Sequence, residues 1–172
     1  MIEVPIQVVD EKDNPIRGGT MDEVQLNGLW HRITGVMVQD VTSGKFLLQK
    51  VAPNPYYSGG KWNLTSTGHV DEGESYQEAA ARELFEEMGI GDVKLTEWDR
   101  YQTEKTAYRA GKDRIYRRHW VIFMAQVKAE ELVLHPNEEE VAETAWFLLE
   151  ELQDISPSEM TDTLVRFVHS MR

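Results

Sequence analysis

Residues 31–39 and 46–51 are dominated by apolar and β-branched side chains, with Thr42-Ser43-Gly44 between them. That pattern predicts two strands joined as a hairpin. Residues 5–10 alternate well enough for a short strand, and Asp13-Asn14-Pro15 reads as the turn that follows it. Residues 21–26 suit a short helix. The stretch 75–88 is the clearest helix: Ala79, Ala80, Ala81, Leu84 and Glu86 are strong helix formers, and Ser75 with Glu78 has the spacing of a capping box. Gly89 and Gly91 supply its stop. Strands are expected over 93–101, 114–128 and 144–149. A terminal helix is expected over 157–171, where Met160, Leu164, Phe167, Val168 and Met171 recur at helical spacing. Strands mixed with a few helices predict a layered α/β domain.

Composition adds bounds to this picture. A length of 172 residues fits one domain, 1–172, with a core of its own. Lys and Arg number 18 against 30 Asp and Glu, a net charge of −12. Non-specific affinity for nucleic acid rests on cations that neutralise phosphates, so a polymeric nucleic-acid partner is not expected. Small anionic substrates stay open, because a bound divalent cation inverts the local field. The absence of cysteine excludes disulfides, thiolate metal sites and a cysteine nucleophile. Neither a signal-peptide pattern nor an apolar run of roughly 20 residues is visible, so the expectation is a cytoplasmic protein without a membrane partner.

The 75–88 helix breaks two local rules. At about 100° per residue, Glu83, Glu86 and Glu87 share one face, with Ala81, Leu84, Phe85 and Met88 opposite and expected to pack on a sheet. The three carboxylates repel one another and crowd the helix end that disfavours anions. A solvated acidic face is one reading; a bound cation is the other. Oxygen ligands without thiolates suit magnesium, with manganese as a substitute, better than zinc. The preceding loop, Gly68-His69-Val70-Asp71-Glu72-Gly73-Glu74, permits close backbone approach at its glycines, and Arg82 can hold a carboxylate.

These residues match a known signature. Gly68, five residues, Glu74, seven residues, then Arg82-Glu83-Leu84-Phe85-Glu86-Glu87-Met88-Gly89-Ile90 resembles the complete Nudix box, 23 residues long. The resemblance to the Nudix hydrolase superfamily implies an α/β/α sandwich with a central mixed sheet. It also implies magnesium-dependent cleavage of a diphosphate bond in a nucleoside diphosphate-linked or related small molecule. Carried onto this sequence, it makes Glu83, Glu86 and Glu87 the metal-binding and catalytic carboxylates. Thr67 is a further ligand through its carbonyl, Arg82 holds the glutamates in place, and Glu74 and Gly68 shape the loop. Family members often draw a general base from outside the box. The candidates here are Glu139, Glu140 and Glu143. Many members are dimers, so a homodimer is compatible.

The N-terminal half is also similar to the isopentenyl-diphosphate isomerase branch of this fold, through Leu29-Trp30-His31-Arg32, Trp62-Asn63 and Gly68-His69. The resemblance fails where isomerisation needs it. Thr67 stands at the catalytic cysteine position, the third metal-binding histidine falls near Val24, and the two acids of the long strand fall near Tyr116 and Arg118. An isomerase-like hydrolase is the reading that follows, with an isomerase or a non-catalytic nucleotide-sensing module as alternatives. Substrate clues are Lys105, Arg109, Lys112, Arg114, Arg117 and Arg118, six of the 18 basic residues within 14 positions. A strand alternates its faces, so Arg114 and Arg118 point opposite to Arg117 and at most half of these reach one site. His69, Trp62 and Glu140 complete the expected substrate contacts. Tyr56, Tyr57, Trp62 and Trp30 are available to stack a base.

Overall fold

The computed structural model describes residues 3–54 and 59–171, so the expectation placed on Tyr56 and Tyr57 lies outside the described residues. The described strands are β1 (Ile6–Val9), β2 (Pro15–Gly19), β3 (Trp30–Asp40), β4 (Phe46–Val51), β5 (Trp62–Asn63), β6 (Ser66–His69), β7 (Leu95–Arg109), β8 (Lys112–Val127) and β9 (Val141–Phe147). The helices are α1 (Met21–Leu26), α2 (Tyr76–Met88), α3 (Leu149–Asp154) and α4 (Asp162–Ser170).

One mixed sheet contains all nine of these strands. Its spine is β3, nearly continuously buried because both of its faces are covered. Along one edge β3 runs parallel to β8 from Trp30↔Arg117 to Asp40↔Val127. Its other edge is shared by three strands in succession: β1 at His31, β6 at 33–36 and β4 at 38–39. β6 is therefore a short strand in a fork between β1 and β4. Antiparallel β7 covers β8, and β9 covers β4.

Alternation along β3 divides the core in two. Val36 and Val38 face α2 and pack with Ala80, Leu84 and Met88. Ile33 and Met37 face the other way, with Trp120, Leu152, Leu164 and Phe167 from β8, α3 and α4. Helices on both faces of a mixed sheet give the α/β/α sandwich expected from the sequence.

Several boundaries differ from the sequence expectation. Residues 15–19 form an edge strand after the turn at Asp13, whose φ is +70°. That strand is mostly exposed, so no apolar alternation announces it. β7 runs on to Arg109 instead of ending at 101, because its second half is polar and pairs only with β8. Leu149 opens α3 instead of closing a strand. Pro157–Glu159 is one 3₁₀ turn, and the terminal helix begins after the Thr161 cap. On α2, Phe85 is 62% exposed and Ala81 is exposed, while Tyr76, Ala79, Ala80, Leu84 and Met88 are buried. The buried stripe is thus rotated from the expected one and takes Glu87 in with it.

Candidate active site

Sequence determines where α2 begins and ends. The Ser75 side chain accepts from the Glu78 N–H and the Glu78 carboxylate accepts from the Ser75 N–H, closing a capping box. Gly89 ends the helix at φ +71°, a conformation that favours glycine. With both ends fixed, the last turns of α2 lie against the edge formed by β6.

Three carboxylates of one helix face then meet three different surroundings. Glu87 is 4% exposed and accepts from Gln49 Nε2 on β4 and, at 3.3 Å, from the Thr67 N–H on β6. Glu83 lies over Gly68, and a Cβ at Gly68 would fall 2.0 Å from the Glu83 carboxyl carbon. Here glycine is required by close approach. Glu86 is exposed and is not a lining residue of the cavity described below.

Arg82 binds these parts together. Its Nε and Nη2 clasp both oxygens of Glu74 at 2.8 and 2.9 Å, Nη1 donates to Glu83 at 2.8 Å and to Glu86 at 3.4 Å, and Nη2 also donates to the His69 carbonyl at 2.9 Å. Arg82 therefore makes a two-pronged clasp on Glu74, and Glu83 receives a single bond. Arg82 pulls the Glu74 carboxyl below its usual range. Burial raises Glu83 to about 7 despite Arg82, with Glu86 and Glu140 adding repulsion. Burial also raises Glu87 well above the carboxylate range, with the charge of Glu83 adding to it.

Glu83 and Glu87 open into a cavity of about 1220 Å³. Its floor is one face of the sheet, and the register shows why. Thr67 and His69 on β6 lie opposite Gly35 and Ile33 on β3. Ile33 and His31 lie opposite Trp120 and Arg118 on β8, which in turn face Tyr101 and Thr103 on β7. Partners in register point the same way. Thr67, His69, Ile33, Trp120, Arg118 and Tyr101 all line the cavity. The box carboxylates reach it around the open edge of β6.

The loop before β9 adjoins these carboxylates: the His135 and Asn137 N–H groups donate to the Met88 and Glu87 carbonyls at the end of α2. Glu139 and Glu140 line the cavity. Asn137 Nδ2 holds Glu140 at 2.9 Å, and desolvation with nearby Glu86 and Glu139 raises its carboxyl. Glu143, the third base candidate, instead pairs with Lys50 at 3.6 Å and does not line the cavity.

Two expected substrate contacts lie elsewhere. Arg114 is 2% exposed and donates to Gln25 at 2.9 Å and Asp22 at 2.8 Å. It fastens the β7–β8 hairpin to α1 and does not line the cavity. Trp62 packs edge-on against Phe147, 5.0 Å between ring centres, under the Lys50 ammonium, and is likewise not a lining residue. Trp30 lies beside His119, 5.1 Å between ring centres, and is also absent from the lining. Sequence reading passed over Gln49, which holds Glu87, and Asn63, which donates to Thr67 Oγ1 at 3.0 Å and accepts from Thr161 Oγ1 at 2.8 Å. Gln49 is a polar residue in the run 46–51, the one signal that marked it, and Asn63 belongs to the Trp62-Asn63 pair already noted.

The donor set suits a hard divalent cation. Glu83 and Glu87 bring two adjacent carboxylates, and Thr67 adds a main-chain oxygen. Among the described residues no three imidazole or carboxylate side chains close into a full metal cage. A partly open, all-oxygen set matches magnesium, which keeps several waters and takes further ligands from substrate phosphates.

A family model described as the NUDIX domain matches residues 29–169. An uncharacterized Nudix hydrolase of Yersinia pestis is 31% identical over 147 residues, covering 86% of this chain and 74% of that protein. A Streptomyces coelicolor protein named isopentenyl-diphosphate Delta-isomerase is 32% identical over 160 residues, covering 91% and 73%. In structure, a Deinococcus radiodurans protein superposes with a TM-score of 0.74 at 15% identity, over 96% and 97% of the two chains. A MutT protein from Methanosarcina mazei gives 0.61 at 24% identity, over 83% and 96%. These last two show the fold alone.

Proposed function

The chain belongs to the Nudix family, and from that premise we propose that it is a magnesium-dependent hydrolase of a diphosphate bond in a small molecule, with manganese able to substitute. The observation that carries the reading is the wall built by Glu83 and Glu87 beside the Thr67 main chain, locked by Arg82 and facing a cavity large enough for a nucleotide-sized ligand. The bound cation would be held by Glu83, Glu87 and the Thr67 carbonyl, with exposed Glu86 assisting at the rim, and would screen the diphosphate and acidify water.

The protein's own part is positional and electrostatic. Arg82 fixes Glu83, and Gln49 with the Thr67 N–H fixes Glu87, so neither carboxylate spends rotamer freedom when a ligand arrives. Glu140, on the loop bonded to the end of α2 and already raised, would accept a proton from the attacking water. Glu139 is the alternative on the same loop.

The isomerase reading lacks its residues. Thr67 offers a hydroxyl where a thiol is needed, and Tyr116 and Arg118 line the cavity where two acids are needed. The name of the Streptomyces relative therefore does not transfer with its reaction.

The test is a product-resolved screen. Wild type and Glu87→Gln are incubated with magnesium and nucleoside triphosphates, nucleotide sugars, dinucleotides and isoprenoid diphosphates, and products are identified by mass. Cleavage of one class by wild type alone supports the hydrolase. An isomerised, uncleaved isoprenoid diphosphate overturns it, as does tight binding without turnover, which indicates a sensing module.

A further inference from the structure

Thr67 faces the open edge of β6. It lies opposite Gly35 of β3, and its N–H turns away from β3 to reach Glu87 at 3.3 Å. In an antiparallel pair the N–H and C=O of one residue leave the strand on the same side. The Thr67 main-chain oxygen therefore faces the box carboxylates as well, while its side chain stands on the cavity floor. One residue brings an oxygen and a hydroxyl to the same space.

That hydroxyl ends a chain of hydrogen bonds with one direction. The chain starts at the first turn of α4, where the Leu164 N–H, which can only donate, is accepted by Thr161 Oγ1 at 3.3 Å. The Thr161 hydroxyl proton goes on to Asn63 Oδ1 at 2.8 Å. This contact sets the buried Asn63 amide with its Nδ2 toward Thr67 Oγ1 at 3.0 Å. The Thr161 N–H also donates to the Trp62 carbonyl at 2.9 Å, which fixes the start of α4 against β5 and keeps these spacings. Thr67 Oγ1 thus accepts a proton from the protein and still holds its own.

The proton on Thr67 meets no acceptor among the described residues. Two neighbouring threonines spend theirs inside the fold. Thr34 donates to the Val121 carbonyl at 2.9 Å, and Thr65 accepts from the Val38 N–H at 2.8 Å and donates to the Leu47 carbonyl. At Thr67 the Asn63 amide occupies the accepting side of the hydroxyl, and the donating side is left to the cavity.

We propose that the Thr67 hydroxyl is a binding donor for the substrate's diphosphate, and that Asn63 and Thr161 are positioning residues that keep its proton turned into the cavity. The ligand class follows from the neighbours. Glu83 and Glu87 repel an anion unless a cation lies between, so the acceptor is an oxygen of the group that this cation binds, a phosphoryl oxygen. The identity of that group rests on the hydrolase reading. A hydrogen bond to a charged oxygen is about twice as strong as a neutral one, so losing the donor is visible in affinity.

Imidodiphosphate, whose bridging nitrogen resists hydrolysis, tests this by calorimetry with magnesium present. Thr67→Val keeps the shape and the main-chain oxygen but removes the donor. Its Kd for imidodiphosphate should rise about tenfold, while its Kd for magnesium alone stays within about twofold of wild type. Thr67→Ser should recover most of the loss. Asn63→Asp has nearly the same shape but cannot donate; its carboxylate accepts from both hydroxyls and draws the Thr67 proton out of the cavity. It should weaken imidodiphosphate by a comparable factor in the wild-type background and hardly at all in the Thr67→Val background. Added charge alone would act equally in both. Imidodiphosphate binding that survives Thr67→Val overturns the proposal, as does an equal effect of Asn63→Asp in the two backgrounds. If wild type with magnesium does not bind imidodiphosphate, the diphosphate reading itself fails and the proposal falls with it. Circular dichroism checks that each variant is folded, and Thr67→Ala replaces Thr67→Val if the latter is not.

Discussion

Glu87 combines two properties that are usually kept apart: it is buried, and it belongs to a face of negative charge. In the metal-free protein it is a burden, and with a cation bound it would be a ligand. Glu87→Gln keeps the shape and an acceptor for Gln49. It is therefore expected to lower turnover at least about tenfold while raising the metal-free melting temperature at pH 8, by the equivalent of about 1–2 kcal/mol. Magnesium should raise the melting temperature of wild type and barely move that of the variant. Thermal scans with and without magnesium read both effects, and a variant that melts lower without metal contradicts the account. Gly68→Ala places a methyl group where the Glu83 carboxyl lies. Magnesium affinity is expected to fall about 10–100-fold, the size of effect seen when ligand-orienting contacts are disturbed, measured by calorimetry on the folded variant. The contact between Arg82 and Glu83 was legible in sequence because the two are neighbours on one helix. The burial of Glu87 was not, since it depends on how α2 is rotated against β4 and β6.

At the scale of elements, the β7–β8 hairpin shows where sequence reading reached its limit. Six basic residues in a short stretch looked like one cluster, yet the pleat, the pairing register and α1 divide them among different tasks. Arg118 faces the cavity, Arg117 pairs with Glu104 at 3.2 Å, and Arg114 is enclosed by α1. Only the first half of that division, the alternation of faces, follows from local pattern. The docking of α1 depends on contacts about 90 residues apart in the chain. Arg114→Met removes the charge and the bonds to Gln25, Asp22 and the Arg109 carbonyl. A loss of about 1–3 kcal/mol is expected, since Asp22 is itself half in water. Urea unfolding measures it. If activity disappears while stability is unchanged, Arg114 belongs to the site after all.

For the molecule as a whole, the buried histidines give stability an acid limit. The folded state holds His31 neutral down to about pH 3, whereas the unfolded chain takes up that proton near pH 6.5. The contribution is therefore complete above pH 6.5 and is lost as pH falls toward 3, at about 1.4 kcal/mol per unit. Between pH 6.5 and 5 that amounts to about 2 kcal/mol. Glu83 acts in the opposite sense in the metal-free state. Its raised value favours the folded protein at low pH and disfavours it as pH rises from 4.5 through 7. Comparing wild type with His31→Gln in magnesium isolates the histidine: the urea midpoint of the variant should fall less between pH 7 and pH 5. Equal slopes would contradict the neutral, buried imidazole.

The pairing of β3 with β8 has a further consequence, in time. The box helix and the strand it leans on lie within residues 66–88, so the carboxylate wall can form from neighbours in the chain. The floor cannot. Its eleven parallel pairs join residues 87 positions apart, and such closures come late because the intervening chain loses its freedom before any contact repays it. A chain emerging from a ribosome carries its acids in place well before the arginine that faces them across the cavity arrives. During refolding, hydrogen-exchange protection should accordingly appear in α2 before it appears at the β3–β8 seam.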